Sequence, residues 1–125
     1  MEEGKKKTVL IIEDEVTLRD LIVKKLEDIG VGTIVASTAQ EGELKVKEKH
    51  PNLILLDIML PGGLNGFDLL ERLKSDPILK SIPVVVLTNL GTEDKTATEI
   101  GAIDYIIKSN ISLDEVALKV KNHLQ

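Results

Sequence analysis

Polar side chains of distinct chemistry stand at the ends of apolar runs. Glu13, Asp14 and Glu15 follow VLII, Asp57 follows LILL, Thr88 follows VVVL, and Lys108 follows YII. Each run has strand length, so one sheet edge would collect the carboxylates, a hydroxyl and an ammonium. Two unit charges about 4 Å apart repel by about 4 kcal/mol at an effective dielectric of roughly 20. A cluster of Glu13, Asp14 and Asp57 must therefore protonate, pair with lysine or bind a cation. Oxygen ligands at a water-accessible edge suit Mg2+. Asp57 can be a metal ligand, or a nucleophile that forms an aspartyl phosphate. Phosphoryl transfer needs a placed nucleophile, a metal and neutralisation of the transferring oxygens. Lys108 offers the positive charge and Thr88 a hydroxyl donor. Taken singly, each residue has a plainer reading. Acids after a strand cap the next helix and favour its dipole, and this is the role expected of Glu15. A lysine pairs with surface acids, and a threonine caps a helix. The coincidence at matching strand ends favours a site.

The elements between these residues must position them. Apolar runs recur at residues 8–12, 33–36, 53–56, 82–87 and 103–107. Several are continuous and β-branched, as in strands buried on both faces of a parallel sheet. Between them lie helical patterns. Leu18, Leu21, Ile22, Leu26 and Ile29 follow helical spacing before Gly30. Thr38 with Glu41 forms a capping-box pattern for a second helix, weakened by Gly42. Asn65 can cap a third helix carrying Phe67, Leu70 and Leu73. A short fourth is expected at residues 92–100, and Ser112 with Glu115 opens a fifth. Strict alternation of strand and helix predicts an α/β fold, a doubly wound five-stranded parallel sheet with helices on both faces. Order 2-1-3-4-5 fits, with a ligand site between strands one and three at their carboxyl ends.

Composition narrows the function classes. The chain has 125 residues, 42% hydrophobic, which suits one domain with its own core. The absence of cysteine excludes disulfides, thiolate catalysis and cysteine-based zinc sites. His50 and His123 lie far apart, against a histidine-rich metal centre. A net charge of −5 argues against direct nucleic-acid binding. No apolar run approaches the roughly 18 residues of a membrane span. Residues 1–7 are charged and have no apolar signal core behind them, so a cytoplasmic location is expected. Residues 1–6 read as a flexible tail on a single domain spanning 1–125.

The segments VLIIEDE, LILLDIMLPGGLNGFDLL, VVVLTN and GAIDYIIK, in this order, resemble the receiver domain of two-component response regulators. The resemblance runs from about Lys7 to Leu124 and is similar in length to single-domain, chemotaxis-type regulators. It implies a flavodoxin-like fold and phosphorylation-activated signalling rather than turnover of a substrate. The only reactions implied are the domain's own phosphorylation and dephosphorylation. In that resemblance Asp57 is the phosphoacceptor. Asp14 and Glu13 hold Mg2+ together with Asp57 and the backbone carbonyl of Met59. Thr88 follows the phosphoryl group, Lys108 pairs with it, and Tyr105 is the switch aromatic. The implied readout is the surface of the fourth helix, fifth strand and fifth helix. The implied partners are a sensor histidine kinase or phosphotransfer protein and a protein target, with homodimerisation on phosphorylation.

The chain departs from the family pattern at several places. The loop from Asp57 to Gly66 is one residue longer, with Gly62 and Gly63 available to absorb it. The stretch from Thr88 to Gly101 is about two residues shorter. Ser109 stands where the family has a proline after a cis bond. A cis bond to a non-proline residue costs about 2.5–4 kcal/mol, so either the bond is trans and the loop differs, or strain is stored. Asn89 replaces a small residue and narrows access. Met59 and Leu90 occupy positions that set phosphoryl lifetime in the family. Neither can orient a water, which predicts slow self-dephosphorylation. A phosphorylation-independent pseudo-receiver is the alternative reading. A phosphatase would want a general acid where Met59 stands, and a nucleotide-binding module would want glycines where EDEV stands.

Overall fold

The computed structural model describes residues 6–89 and 91–125, with backbone alone for residues 91–94. The expected tail therefore lies mostly outside the described residues. Strands β1 (Thr8–Ile12), β2 (Gly32–Ala36), β3 (Leu53–Asp57), β4 (Val84–Thr88) and β5 (Asp104–Ile107) alternate with helices. The helices are α1 (Val16–Asp28), α2 (Ala39–Lys49), α3 (Gly66–Ser75), α4 (Gly91–Ile100) and α5 (Leu113–Leu124). The strands pair in parallel in the order β2-β1-β3-β4-β5. The sheet is thus the one the alternation predicts.

Period-two side-chain direction divides the core between the two faces. Leu10, Ile12, Ile54, Leu56, Val84 and Val86 pack towards Val46 of α2, Leu69, Leu70 and Leu73 of α3, and Ala97 of α4. Val9, Ile11, Leu53, Leu55, Val85, Leu87 and Ile106 pack towards Ile22 and Leu26 of α1 and Val116 and Val120 of α5. Every residue of β3 and β4 is buried. This explains their continuous apolar character and places the centre of the sheet where solvent has least access.

Local chemistry shifts some boundaries. β4 starts at Val84 rather than at Ile82. Pro83 has no N–H for the ladder, and the Ile82 amide donates to the Leu79 carbonyl in a turn. At α2, the Thr38 hydroxyl accepts the Glu41 amide at 3.1 Å, but Glu41 returns its carboxylate to the Ser37 amide at 2.7 Å. The expected box is therefore displaced by one residue. Asn65 and Asp68 form a full reciprocal box at α3, and Ser112 accepts the Glu115 amide at α5. Gly42 has a packing role. A Cβ there would come within 2.5 Å of Ile12 Cδ1, so glycine lets α2 lie close on β1.

Candidate functional site

Asp57 ends β3, where it pairs with Leu87, and Thr88 ends β4, where it pairs with Ile107. Lys108 is the next residue after β5. Glu13 follows β1, and its amide still donates to the Ala36 carbonyl of β2. Parallel register thus delivers these residues to one edge, although they come from four separate segments. Glu13, Asp57 and Thr88 are the buried polar residues among those described. Burial of such groups is costly unless partners are supplied.

Lys108 supplies much of that partnership. Its Nζ lies 3.1 Å from Asp57 Oδ2, 3.1 Å from Glu13 Oε1 and 2.8 Å from Glu15 Oε1. The Glu15 amide donates to Glu13 Oε2 at 3.0 Å, and the Met59 amide donates to Asp57 Oδ1 at 2.9 Å. Burial raises the Glu13 carboxyl to about 7, and the charge of Asp57 adds to it against the pull of the Glu15 amide and Lys108. Burial alone would lower the Lys108 ammonium. Its contacts with Glu15 and Glu13 and the charge of Asp57 outweigh that and raise it.

Oxygens of Glu13, Asp14 and Asp57 lie within 4.8 Å of one another. Glu13 Oε1, though close to the ammonium, has no hydrogen bond in good geometry. A three-carboxylate donor set with an unsatisfied buried oxygen fits a hard divalent cation such as Mg2+.

The loop after Asp57 is tightly constrained at its far end. A Cβ on Gly66 would collide with the Asp57 carbonyl oxygen and the Ile58 backbone. The longer loop turns at Gly62, with φ of +104°, a conformation glycine tolerates. Met59 lies before that turn, with its side chain exposed.

No described peptide bond is cis. The Lys108–Ser109 bond is trans, and Lys108–Asn110 form a short 3-10 turn. Tyr105 is 38% exposed, its ring 5.3 Å from Lys119 Nζ. Leu90 lies outside the described residues.

Two features escape the sequence reading. Glu15 does not cap α1 with its side chain. It turns to Lys108 instead, because a buried ammonium among acids attracts any carboxylate within reach. The surplus of acids around a single lysine is the sequence signal for this. The second feature is a network on β5 and α5, in which Asp104 meets Lys119 at 3.0 Å and His123 Nε2 at 3.0 Å. Only the fold brings those residues together. Among the described residues, no helix is long and apolar enough to cross a membrane.

Known proteins share this architecture. The chain is 41% identical over 104 residues to the phosphate regulon transcriptional regulatory protein PhoB of Pseudomonas aeruginosa, covering 82% of this chain and 45% of that protein. It is 31% identical to the probable transcriptional regulator ycf27 of Pyropia yezoensis, covering 98% of this chain and 49% of that one. The chain thus spans about half the length of these curated relatives. Among solved structures, a putative response regulator from Chloroflexus aurantiacus superposes with a TM-score of 0.89 at 29% identity, covering 96% of this chain and 98% of that one. The receiver domain of NtrX from Brucella abortus does so with a TM-score of 0.84 at 32% identity, covering 93% and 97%. Residues 9–121 match the response regulator receiver domain, and the chain belongs to that family of two-component signalling modules.

Proposed function

We propose that this receiver domain accepts a phosphoryl group on Asp57 and thereby switches the surface made by α4, β5 and α5. The observation that carries the reading is the convergence of Asp57, Glu13, Asp14 and Lys108 at one sheet edge. A carboxylate oxygen of Asp57 attacks the donor phosphorus. The new O–P bond forms as the donor's bond to phosphorus breaks, and the electron pair leaves with the donor group. Lys108 neutralises the transferring oxygens. Thr88 offers its hydroxyl to the phosphoryl group. Glu13, Asp14, Asp57 and the Met59 carbonyl would hold Mg2+, which supplies charge neutralisation of the phosphoryl oxygens.

Phosphorylation replaces one negative charge with about two and adds strong acceptor oxygens. Thr88 and Lys108 gain partners, and the segments that follow them are drawn inward. Tyr105, now turned towards Lys119, reports that shift to the output face. The donor is a sensor histidine kinase or phosphotransfer protein, and the output is a protein target or a second copy of the chain. The cytoplasm is the compartment that fits such a donor.

An NMR titration of the chain with Mg2+ tests the cation site. Saturable shifts around residues 13, 14, 57 and 59, weakened in Asp14→Asn, are expected. A chain that shows none of these shifts and takes no phosphoryl group would be a pseudo-receiver.

A further inference from the structure

We propose that Glu15 is a positioning residue for Lys108, holding the ammonium aimed at Asp57 from outside the cation site. The inference rests on the phosphoacceptor reading above. Of the contacts made by Lys108, that with Glu15 is the shortest, 2.8 Å against 3.1 Å to Asp57 and 3.1 Å to Glu13. The Lys108 side chain is 9% exposed, whereas that of Glu15 is 61% exposed. The pair therefore joins a buried cation to an anion at the rim.

Three features of this chain give the contact its importance. An ammonium has three N–H donors; this one hydrogen-bonds Glu13 and Asp57 and stands in ion-pair contact with Glu15. Two of the three, Glu13 and Asp57, belong to the candidate cation site. A bound cation would compete with Lys108 for those two carboxylates, whereas Glu15 stands outside the candidate cation set. The next residue adds no ring restraint: Lys108 opens a 3-10 turn whose second residue, Ser109, has a φ not fixed by a ring. Glu15 is also spared for this work, because its carboxylate makes no capping bond at α1. Its own amide meanwhile orients Glu13 through Oε2. One residue thus orients Glu13 through its backbone amide and meets the ammonium with its side chain.

Charge and position are separable by substitution. Glu15→Gln keeps an oxygen acceptor and removes the charge, whereas Glu15→Ala removes both. Neither touches the amide, so Glu13 keeps its bond. The rim position makes folding of both variants straightforward to verify by thermal unfolding. Two readouts apply to the whole chain with saturating Mg2+. One is the 15N signal of the Lys108 ammonium, which stays visible only while a partner slows its exchange. The other is the initial rate of phosphorylation by acetyl phosphate.

The positioning role predicts that the ammonium signal persists in Glu15→Gln and is lost in Glu15→Ala. It also predicts that Glu15→Ala is phosphorylated about fivefold more slowly than Glu15→Gln, which keeps a polar oxygen within reach of the ammonium. Equal rates and equal signals in the two variants would overturn it and leave Glu15 only its charge. A wild-type chain that takes no phosphoryl group would overturn the phosphoacceptor reading instead. The ammonium signal would then still decide whether Glu15 holds Lys108.

Discussion

Lys108 Nζ lies 3.1 Å from Asp57 Oδ2, although 51 residues separate them in the chain. The fold thus places the Lys108 ammonium against the buried carboxylate proposed as phosphoacceptor. Lys108→Ala leaves Glu13 and Asp57 facing each other without that charge. The substitution should destabilise the fold by about 3 kcal/mol, the cost of breaking a buried pair. Added Mg2+ should restore part of the loss, because it binds the folded state alone. Urea unfolding with and without Mg2+ measures both. A variant as stable as the wild type, and unmoved by Mg2+, would show that the acids do not depend on a cation.

Gly66 guards the geometry of the same loop. Its missing Cβ leaves room for the Asp57 carbonyl and the Ile58 backbone. Gly66→Ala should therefore cost roughly 2–3 kcal/mol, at the upper end for overpacking, because backbone rather than a flexible side chain must give way. It should also slow phosphorylation by moving Asp57. Thermal unfolding and a rate assay on one preparation test the two effects together.

Acid sensitivity should arise on the β5–α5 side. Burial alone would raise the Asp104 carboxyl, but hydrogen bonds from His123, Lys119 and the Tyr105 amide outweigh it and hold it below the ordinary 3.8. A carboxyl depressed by folding contributes stability that is present above its unfolded value and lost as pH falls through its folded value. The stability advantage of wild type over Asp104→Asn should therefore hold above about pH 4 and vanish in stronger acid. An advantage independent of pH would assign the effect to packing.

Tyr105 offers a direct view of switching. It is the only tyrosine, and the chain has no tryptophan. Tyrosine emission therefore reports one position, exposed and beside Lys119. Phosphorylation in the presence of Mg2+ should change its intensity, and the change should be absent in Thr88→Ala. Unaltered emission in a fully phosphorylated sample would remove Tyr105 from the switch.

Much of the fold was readable because the central strands are buried on both faces. Continuous runs such as LILL and VVVL announce that burial, and their alternation with helices leaves little choice of topology. The gathering of Glu13, Asp14 and Asp57 into a candidate site was readable for the same reason, since a polar residue at the end of a buried run stands at the sheet edge. What was not readable depended on side-chain direction. Glu15 looks like a helix-start acid until Lys108 is seen to come within 2.8 Å of it. Gly42 looks like a flaw in α2 until Ile12 is seen to need its space. At Ser109 the choice between a trans turn and stored strain needed the backbone itself, which shows the trans turn.

The apolar side chain of Met59 bears on the lifetime of the modified state. It is exposed beside Asp57 and cannot orient an attacking water. The phosphorylated chain should lose its group slowly, and Met59→Asn should shorten that lifetime. An unchanged decay in the variant would place control elsewhere.

The central claim is tested most directly by intact mass spectrometry of the chain after incubation with Mg2+ and acetyl phosphate. The account predicts a single phosphoryl adduct, absent in Asp57→Asn and absent without Mg2+. An adduct that survives in Asp57→Asn, or a chain that binds no Mg2+ and gains no adduct, would contradict it.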